Sequence, residues 1–170
     1  MTSTTDNAGR PLPASAQRVQ QALAAAGLDS RVIELTDAAR TAQQAADALG
    51  VALGQIAKSI IFRRKADDAA VLVVTSGDRR VDEKKVQALV GSIGRADADF
   101  VRARTGFAIG GVSPVGHACP PVTLVDRDLL RFQEIWAAAG HPHGVFRLQP
   151  QDLPALTGGA PWADVAQEAP

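Results

Sequence analysis

One lysine and one glycine-rich segment are the parts of this chain best equipped for chemistry. Lys58 lies in Gln55-Ile56-Ala57-Lys58-Ser59-Ile60-Ile61-Phe62, and the β-branched and aromatic run 59–62 reads as a buried strand. An ammonium at the mouth of a core strand has two uses. It faces a cleft as a compact point charge, or it runs its stem along apolar surface to reach water. The second segment is Thr105-Gly106-Phe107-Ala108-Ile109-Gly110-Gly111-Val112-Ser113-Pro114-Val115-Gly116-His117. Glycine admits φ > 0 and close approach of a ligand to the main chain, whereas proline fixes φ and removes a donor. The stretch therefore holds backbone amides and carbonyls in set directions, as a structural turn or as the wall of a small pocket. Its Ile, Val and Phe content does not suit a flexible linker.

Other chemistries lack their residues. No Gly-x-Gly-x-x-Gly opens a helix after a strand, and no Gly-x-x-x-x-Gly-Lys-Ser/Thr is present. The three histidines, His117, His141 and His143, sit in neither a Gly-x-Ser-x-Gly elbow nor a His-Glu-x-x-His helix. His117-x-Cys119 and His141-x-His143 together offer four ligand atoms, but the spacings match no common zinc pattern, so neither metal nor cofactor is expected. Ser113 either binds a substrate or caps the turn, and Asp126 at a strand end reads as structural.

These groups need elements to hold them. Val19, Leu23 and Ala26 share one face of a helix over 15–26 that Gly27 stops. Residues 31–35 alternate as a short strand. Thr41 and Gln44 form a capping box for a helix ending at Gly50. A turn over 53–57 leads to a strand over 59–63, and Ala66-Asp67-Asp68 joins it to a second apolar strand over 70–75. Asp82 caps a helix to Val90, ended by Gly91. One helical turn over 99–104 precedes the glycine-rich loop. Strands follow at 122–126, 134–138 and 144–148, with a turn at Pro142 and a short helix over 150–156. Crossovers long enough for parallel pairing are few, so the sheet should be mixed and mostly antiparallel. The expected fold is an α+β domain, a twisted and partly closed sheet flanked by helices.

Composition sets the class. The chain of 170 residues suits one domain, read as 14–170 behind a disordered tail at 1–13. A single cysteine, Cys119, precludes an internal disulfide and fits a reducing, cytoplasmic setting. Neither a membrane span nor a signal peptide is visible. Lys and Arg total 18 against 18 Asp and Glu, so a nucleic-acid contact must be a local patch. The candidate runs are Arg63-Arg64-Lys65, Arg79-Arg80 and Lys84-Lys85, each of which also suits a solvated turn or helix face.

In chain order, five stretches together resemble the YbaK-like aminoacyl-tRNA deacylases, whose domain is also inserted in many bacterial prolyl-tRNA synthetases. They are Thr41-Ala42-Gln43-Gln44-Ala45-Ala46 with Leu49-Gly50-Val51; Gln55-Ile56-Ala57-Lys58-Ser59; and Ser76-Gly77-Asp78 with Val81-Asp82 and Lys84-Lys85-Val86. The Gly-x-x-x-Pro loop from Gly110 to Pro114 follows, and then Ala139-Gly140 with Gly144-Val145-Phe146-Arg147-Leu148. The match spans roughly residues 15–158. It departs from other branches at Ala138-Ala139-Gly140-His141-Pro142-His143-Gly144, where His141 and His143 mark a distinct specificity class.

The resemblance implies the same α+β architecture and a substrate-assisted ester hydrolysis that needs no protein nucleophile. The substrate is a small mischarged amino acid on the acceptor end of a tRNA, tRNA-Pro first, with prolyl-tRNA synthetase as a possible partner and neither membrane nor DNA. Lys58 becomes the catalytic cation. Gly110, Gly111, Val112, Ser113, Pro114, Ile60 and Gly140 become the substrate-binding set, and Ala108, Ile109, Val112 and Ile60 set the size of the pocket. Two alternatives stand beside this: a tRNA- or partner-binding module of the same fold without turnover, and a small-ester hydrolase.

Overall fold

Residues 70–76 are buried without exception, too apolar for a strand that faces water on one side. They form β3 (Ala70–Ser76), the centre of the sheet. The computed structural model describes residues 5–6, 9–35 and 41–168. β3 runs antiparallel to β2 (Ile56–Arg64) from Ala57↔Ser76 to Arg63↔Ala70. The turn between them closes at Asp68, the only described non-glycine residue with positive φ (56°). Asp67 accepts the Ala69 N–H there, as short acidic side chains do in turns.

The other strands are β1 (Ile33–Glu34), β4 (Ile93–Arg95), β5 (Val122–Asp126), β6 (Ile135–Ala138), β7 (Gly144–Leu148) and β8 (Trp162–Ala163). Their order is β1-β7-β6-β2-β3-β5-β8, with β4 branching onto β2. Parallel pairs join β2 to β6, β3 to β5 and β5 to β8, and the other pairs are antiparallel. The mixed α+β sheet expected from the sequence is present. Its path has two ends, so it is open where partial closure was anticipated.

Five α-helices among the described residues cover it: α1 (Ala14–Ala25), α2 (Ala42–Leu49), α3 (Glu83–Val90), α4 (Ala98–Thr105) and α5 (Leu153–Leu156). Leu72 and Val74 face a core built with Val19 and Leu23 of α1, Phe107 and Phe146. Val71 and Val73 face the opposite way, against Val86 of α3, Leu124 and Val165. α2 seals a third cluster, Ala45 and Ala46 on Ile56 and Trp136.

Three expectations change. Strand β2 begins at Ile56, because Ile56 and Ala57 pair with Trp136 and Ala137, so Lys58 lies inside the strand and not at its mouth. The single helical turn at 99–104 is the two-turn α4, capped by Asp97 on Phe100 N–H (2.8 Å). The described part of the stretch read as a disordered tail is ordered: Thr5 bridges Pro11, Asp6 is buried and bonded by Arg10, and Leu12 enters the core. The rest of that stretch lies outside the described residues. Among the described residues no helix is long and apolar enough to cross a membrane.

Candidate active site

The edge of β2 opposite β3 is shared by two strands that diverge. β6 takes residues 56–57 and β4 takes 62–64, leaving 58–61 without a strand neighbour on that side. A cleft of about 460 Å³ fills the gap, within the ~300–1,000 Å³ usual for small-molecule sites. Its floor is β2 from Ile56 to Ile61. Its walls are Trp136–Ala138 with Gly144 and Val145, Ala96 with Val101 of α4, and Ile109, Gly110 and Val112 of the glycine-rich loop. Thr41, Ala42 and Ala45 bring the start of α2 to it. The lining is mostly apolar; its polar side chains are Thr41, Lys58 and Ser59, with the indole of Trp136.

Lys58 is held by a tight corner that explains the Ser76-Gly77-Asp78 motif. Its ammonium donates to the Arg79 carbonyl at 2.9 Å, leaving two of its three N–H donors for other oxygens. A 3₁₀ turn over Leu53–Gln55 precedes β2 and packs against that corner. Ser76 Oγ donates to the Gly54 carbonyl, and a Cβ on Gly77 would stand 2.4 Å from the Leu53 carbonyl oxygen. Asp78 accepts from Arg131 at 2.6 Å and lies 2.9 Å from Ser76 Oγ, whose single proton is shared between it and the Gly54 carbonyl. Burial works against the Asp78 charge, but the hydrogen bonds from Arg131 and Ser76 and the charges of Arg131 and Arg79 outweigh it, and its pKa is lowered. Burial first, and the nearby Arg80 charge second, lower the pKa of Lys58 against the opposing pull of Asp78.

The glycine-rich loop divides in two. Ile109, Gly110 and Val112 line the cleft, with Ile109 exposed at its rim. Gly111, Ser113 and Pro114 are buried away from the cleft lining. A Cβ on Gly111 would meet the His141 main chain at 2.9 Å. Ser113 Oγ accepts the Val115 N–H at 3.2 Å, and His117 Nε2 donates to the Ser113 carbonyl at 2.6 Å. Gly140 has φ +86° and packs on Phe107 and the Ser15 carbonyl. Of the substrate-binding set, the structure thus brings Ile60, Gly110 and Val112 to the cleft with Lys58. Gly111, Ser113, Pro114 and Gly140 stand behind it, and Ala108 is not in its lining.

Most cations of the candidate patches are engaged. Arg63 pairs with Asp68 at 2.6 Å and Lys85 with Asp164 at 2.9 Å. Arg64 donates to Asp67 at 3.0 and 2.7 Å and is the main cause bringing that carboxyl to a pKa of about 2. Arg79 lies 3.5 Å from Asp78 and 3.7 Å from Asp128. Arg80 and Lys84 are exposed and have no ion pair among the described residues. His141 Nε2 lies 3.6 Å from Glu34, with the His143 ring at 5.6 Å, while His117 is on the far side of the loop against Phe107. Asp126 is buried, accepting from Thr75 Oγ at 2.9 Å and capping a 3₁₀ turn at Asp128.

The sequence reading passed over Ser59, Trp136, Val101 and Ala96 as lining residues. Ser59 carried the one usable signal, a hydroxyl at the head of the apolar run 60–62. Its Oγ is buried and has no hydrogen-bond partner.

Comparison with known proteins bears on the family and the fold. A family model described as the aminoacyl-tRNA editing domain matches residues 36–156. Protein YwhH of Bacillus subtilis (strain 168), itself uncharacterized, is 35% identical over 141 residues, which is 82% of this chain and 89% of that protein. The proline–tRNA ligase of Thermosipho africanus (strain TCF52B) is 35% identical over 79 residues, 45% of this chain but 14% of the ligase. A solved structure provisionally assigned as a trans-editing enzyme for prolyl tRNA synthetase superposes with a TM-score of 0.86 at 45% identity, covering 92% of this chain and 99% of that one. Hypothetical protein APE2540 superposes with a TM-score of 0.81 at 32% identity, covering 88% and 99%.

Proposed function

The chain belongs to the aminoacyl-tRNA editing family, the YbaK-like group that its motifs resemble, and from that premise we propose that it is a trans-editing deacylase. It hydrolyses the ester between a small mischarged amino acid and the acceptor end of a tRNA, with tRNA-Pro the first candidate. The observation that carries this is the cleft on the open edge of β2, where Lys58 is the one charged side chain among the described lining residues, which are otherwise nearly all apolar.

The chemistry follows from what the cleft contains. Among the described residues no histidine, cysteine or carboxylate lines it. Ser59 Oγ has no base within hydrogen-bond reach among the described residues, and a hydroxyl without such a base is a weak nucleophile. Attack on the ester therefore falls to water or to a group of the substrate itself. The protein contributes placement, which is worth several kcal/mol by order of magnitude, and charge. The two remaining Lys58 donors hold a phosphate or ribose oxygen of the terminal nucleotide. Arg80, close enough to depress the Lys58 pKa, adds a second cation on that side. Ile61, Val101 and Val112 bound the acyl side chain, so larger amino acids are excluded by size.

The test is hydrolysis of alanyl-, cysteinyl- and seryl-tRNA-Pro by wild type and by Lys58→Ala. Cleavage of one ester by wild type and its loss in the variant is the expected result; no cleavage above buffer would reject the reading. The ion-paired state of Arg63, Arg64 and Lys85 favours one other reading, a hydrolase of small esters. Equal kcat/KM on an aminoacyl-adenosine and on the full tRNA would select it.

A further inference from the structure

The direction of each peptide group along β2 can be read from its two ladders. On the β3 side, Arg64 N–H donates to the Ala69 carbonyl at 2.9 Å; on the β4 side, Lys65 N–H donates to the Ser92 carbonyl at 2.9 Å. Both bonds extend the registers of their ladders by one residue, beyond Arg63↔Ala70 and Arg64↔Ile93. In a strand, the N–H and C=O of successive residues point to opposite edges. Residues 58, 60, 62 and 64 therefore serve β3, and residues 57, 59, 61 and 63 serve the other edge. There β6 pairs with Ala57, and the β4 ladder begins at Phe62. Ser59 falls between them. Its N–H and C=O point into the cleft, no described strand reaches them, and its Oγ is buried there without a partner.

We infer that the Ser59 main chain is the docking point of the substrate's acyl group, which completes the interrupted ladder as a one-residue antiparallel strand. This rests on the deacylase reading above. An α-amino ester carries an ammonium and a carbonyl on one Cα, as a strand residue carries its N–H and C=O. In a hydrogen-bonded antiparallel pair the two residues exchange both bonds. The ammonium donates to the Ser59 carbonyl, and the Ser59 N–H donates to the ester carbonyl. That N–H then also meets the oxyanion formed when the ester is attacked, the place where a fixed donor helps most. The antiparallel sense carries the ester oxygen toward the Lys58 end of β2. The acyl side chain falls on the face of Ser59 and Ile61, against Val101 and Val112, and a D-amino acid would turn its side chain to the opposite face.

The experiment replaces Ser59 by its α-hydroxy analogue, which keeps the side chain, removes the N–H and weakens the preceding Lys58 carbonyl as an acceptor toward β3. It places the same change at Arg63, whose N–H serves β4 and whose preceding Phe62 carbonyl also faces β3, so that the carbonyl effect is common to both. Both are assayed on the ester that wild type cleaves. The analogue at 59 should lose about 10- to 100-fold in kcat/KM, the range for one lost hydrogen bond at a charged or reacting group, while that at 63 should lose thermal stability and little activity. Wild-type activity with the analogue at 59 would overturn the docking and leave the deacylase reading standing; an inactive wild type would sink both. Should the analogue at 59 not fold, wild type is given lactyl-tRNA beside alanyl-tRNA. Lactyl-tRNA lacks the ammonium and should be cleaved at least ~10-fold more slowly, and equal rates would overturn the inference.

Discussion

The two long walls of the cleft are built in opposite ways. The β2 wall is a strand in register with β3 over seven pairs, and its position is set by a ladder. The glycine-rich wall has no ladder. It is pinned from outside by α1: Arg18 Nε donates to the Gly116 carbonyl at 2.7 Å, its guanidinium reaches the Thr105 carbonyl at 3.3 Å, and it lies 4.6 Å over the Phe107 ring. The strand wall offers polar groups to the cleft, Lys58 and Ser59. The loop wall offers shape, with its own polar groups turned inward on Val115 and His117. The conspicuous motif and the reactive surface are therefore different things here. Changes on the strand wall should alter chemistry at constant stability, and changes on the loop wall should alter stability before chemistry.

The largest effect that would break this contrast is expected at Lys58. Lys58→Ala should lower kcat/KM about 100-fold or more, as loss of a preorganised charge does, with the thermal midpoint within a degree or two of wild type. A fall in the midpoint that matches the fall in activity would make Lys58 a structural residue and erase the distinction. Its titration sharpens the point. The pKa of Lys58 is lowered by burial and by Arg80, so the active ammonium loses its proton on rising pH earlier than an ordinary lysine at ~10.4. The catalysed rate, corrected for alkaline hydrolysis of the free ester, should fall below that pH, and Lys58→Arg should carry whatever activity it retains to higher pH.

Next in size is the loop wall. Gly111→Ala places a Cβ 2.9 Å from the His141 main chain, which has no flexible end to move aside. A destabilisation of about 1–3 kcal/mol follows from such overpacking. Arg18→Ala removes a charged donor from two carbonyls, each such bond being worth about 1.5–3 kcal/mol. Both should show first as a lower midpoint in denaturation and then as a several-fold higher KM, with kcat little changed. An unchanged midpoint with a collapsed kcat in Gly111→Ala would mean that the buried half of the loop touches substrate after all.

Where the sequence was readable, the signal was local. Thr41 and Gln44 bond reciprocally across the first turn of α2, with Thr41 Oγ accepting at 3.1 Å and Gln44 Oε1 at 3.3 Å, and the spacing of those two residues announces it. Asp82 caps α3, and β5 and β7 match their apolar runs residue for residue. Where it was not, the cause lay far along the chain. β4 and β8 have three and two residues and exist through the strands they join. The two residues that move Lys58 inside β2 are fixed by Trp136 and Ala137. Gly111 and Gly140 announce themselves as glycines, but whether a ligand or a neighbouring chain segment needs the space is decided by His141 and Phe107. Ser59 is the extreme case. Nothing in its neighbours tells that β6 stops short of it and β4 starts after it.

The smallest effect concerns the cations around the cleft, and it separates surface charge from usable charge. A cation already paired to a carboxylate releases few counterions when RNA approaches, because its partner has done the neutralising. Arg63, Arg64 and Lys85 are in that state, whereas Arg80 and Lys84 have no ion pair among the described residues. The logarithm of tRNA affinity against the logarithm of salt should therefore have a shallow slope, set by a few phosphates at ~0.7–0.9 each. Arg80→Ala should reduce that slope by about one contact, and Lys84→Ala by one or none according to whether the acceptor arm extends past α3. Arg64→Ala should leave it unchanged or steepen it slightly, since Asp67 loses its partner and repels the phosphates. A slope reduced as much by Arg64→Ala as by Arg80→Ala would show that tRNA displaces the carboxylates. The nucleic-acid face would then extend from the cleft to the β2–β3 turn.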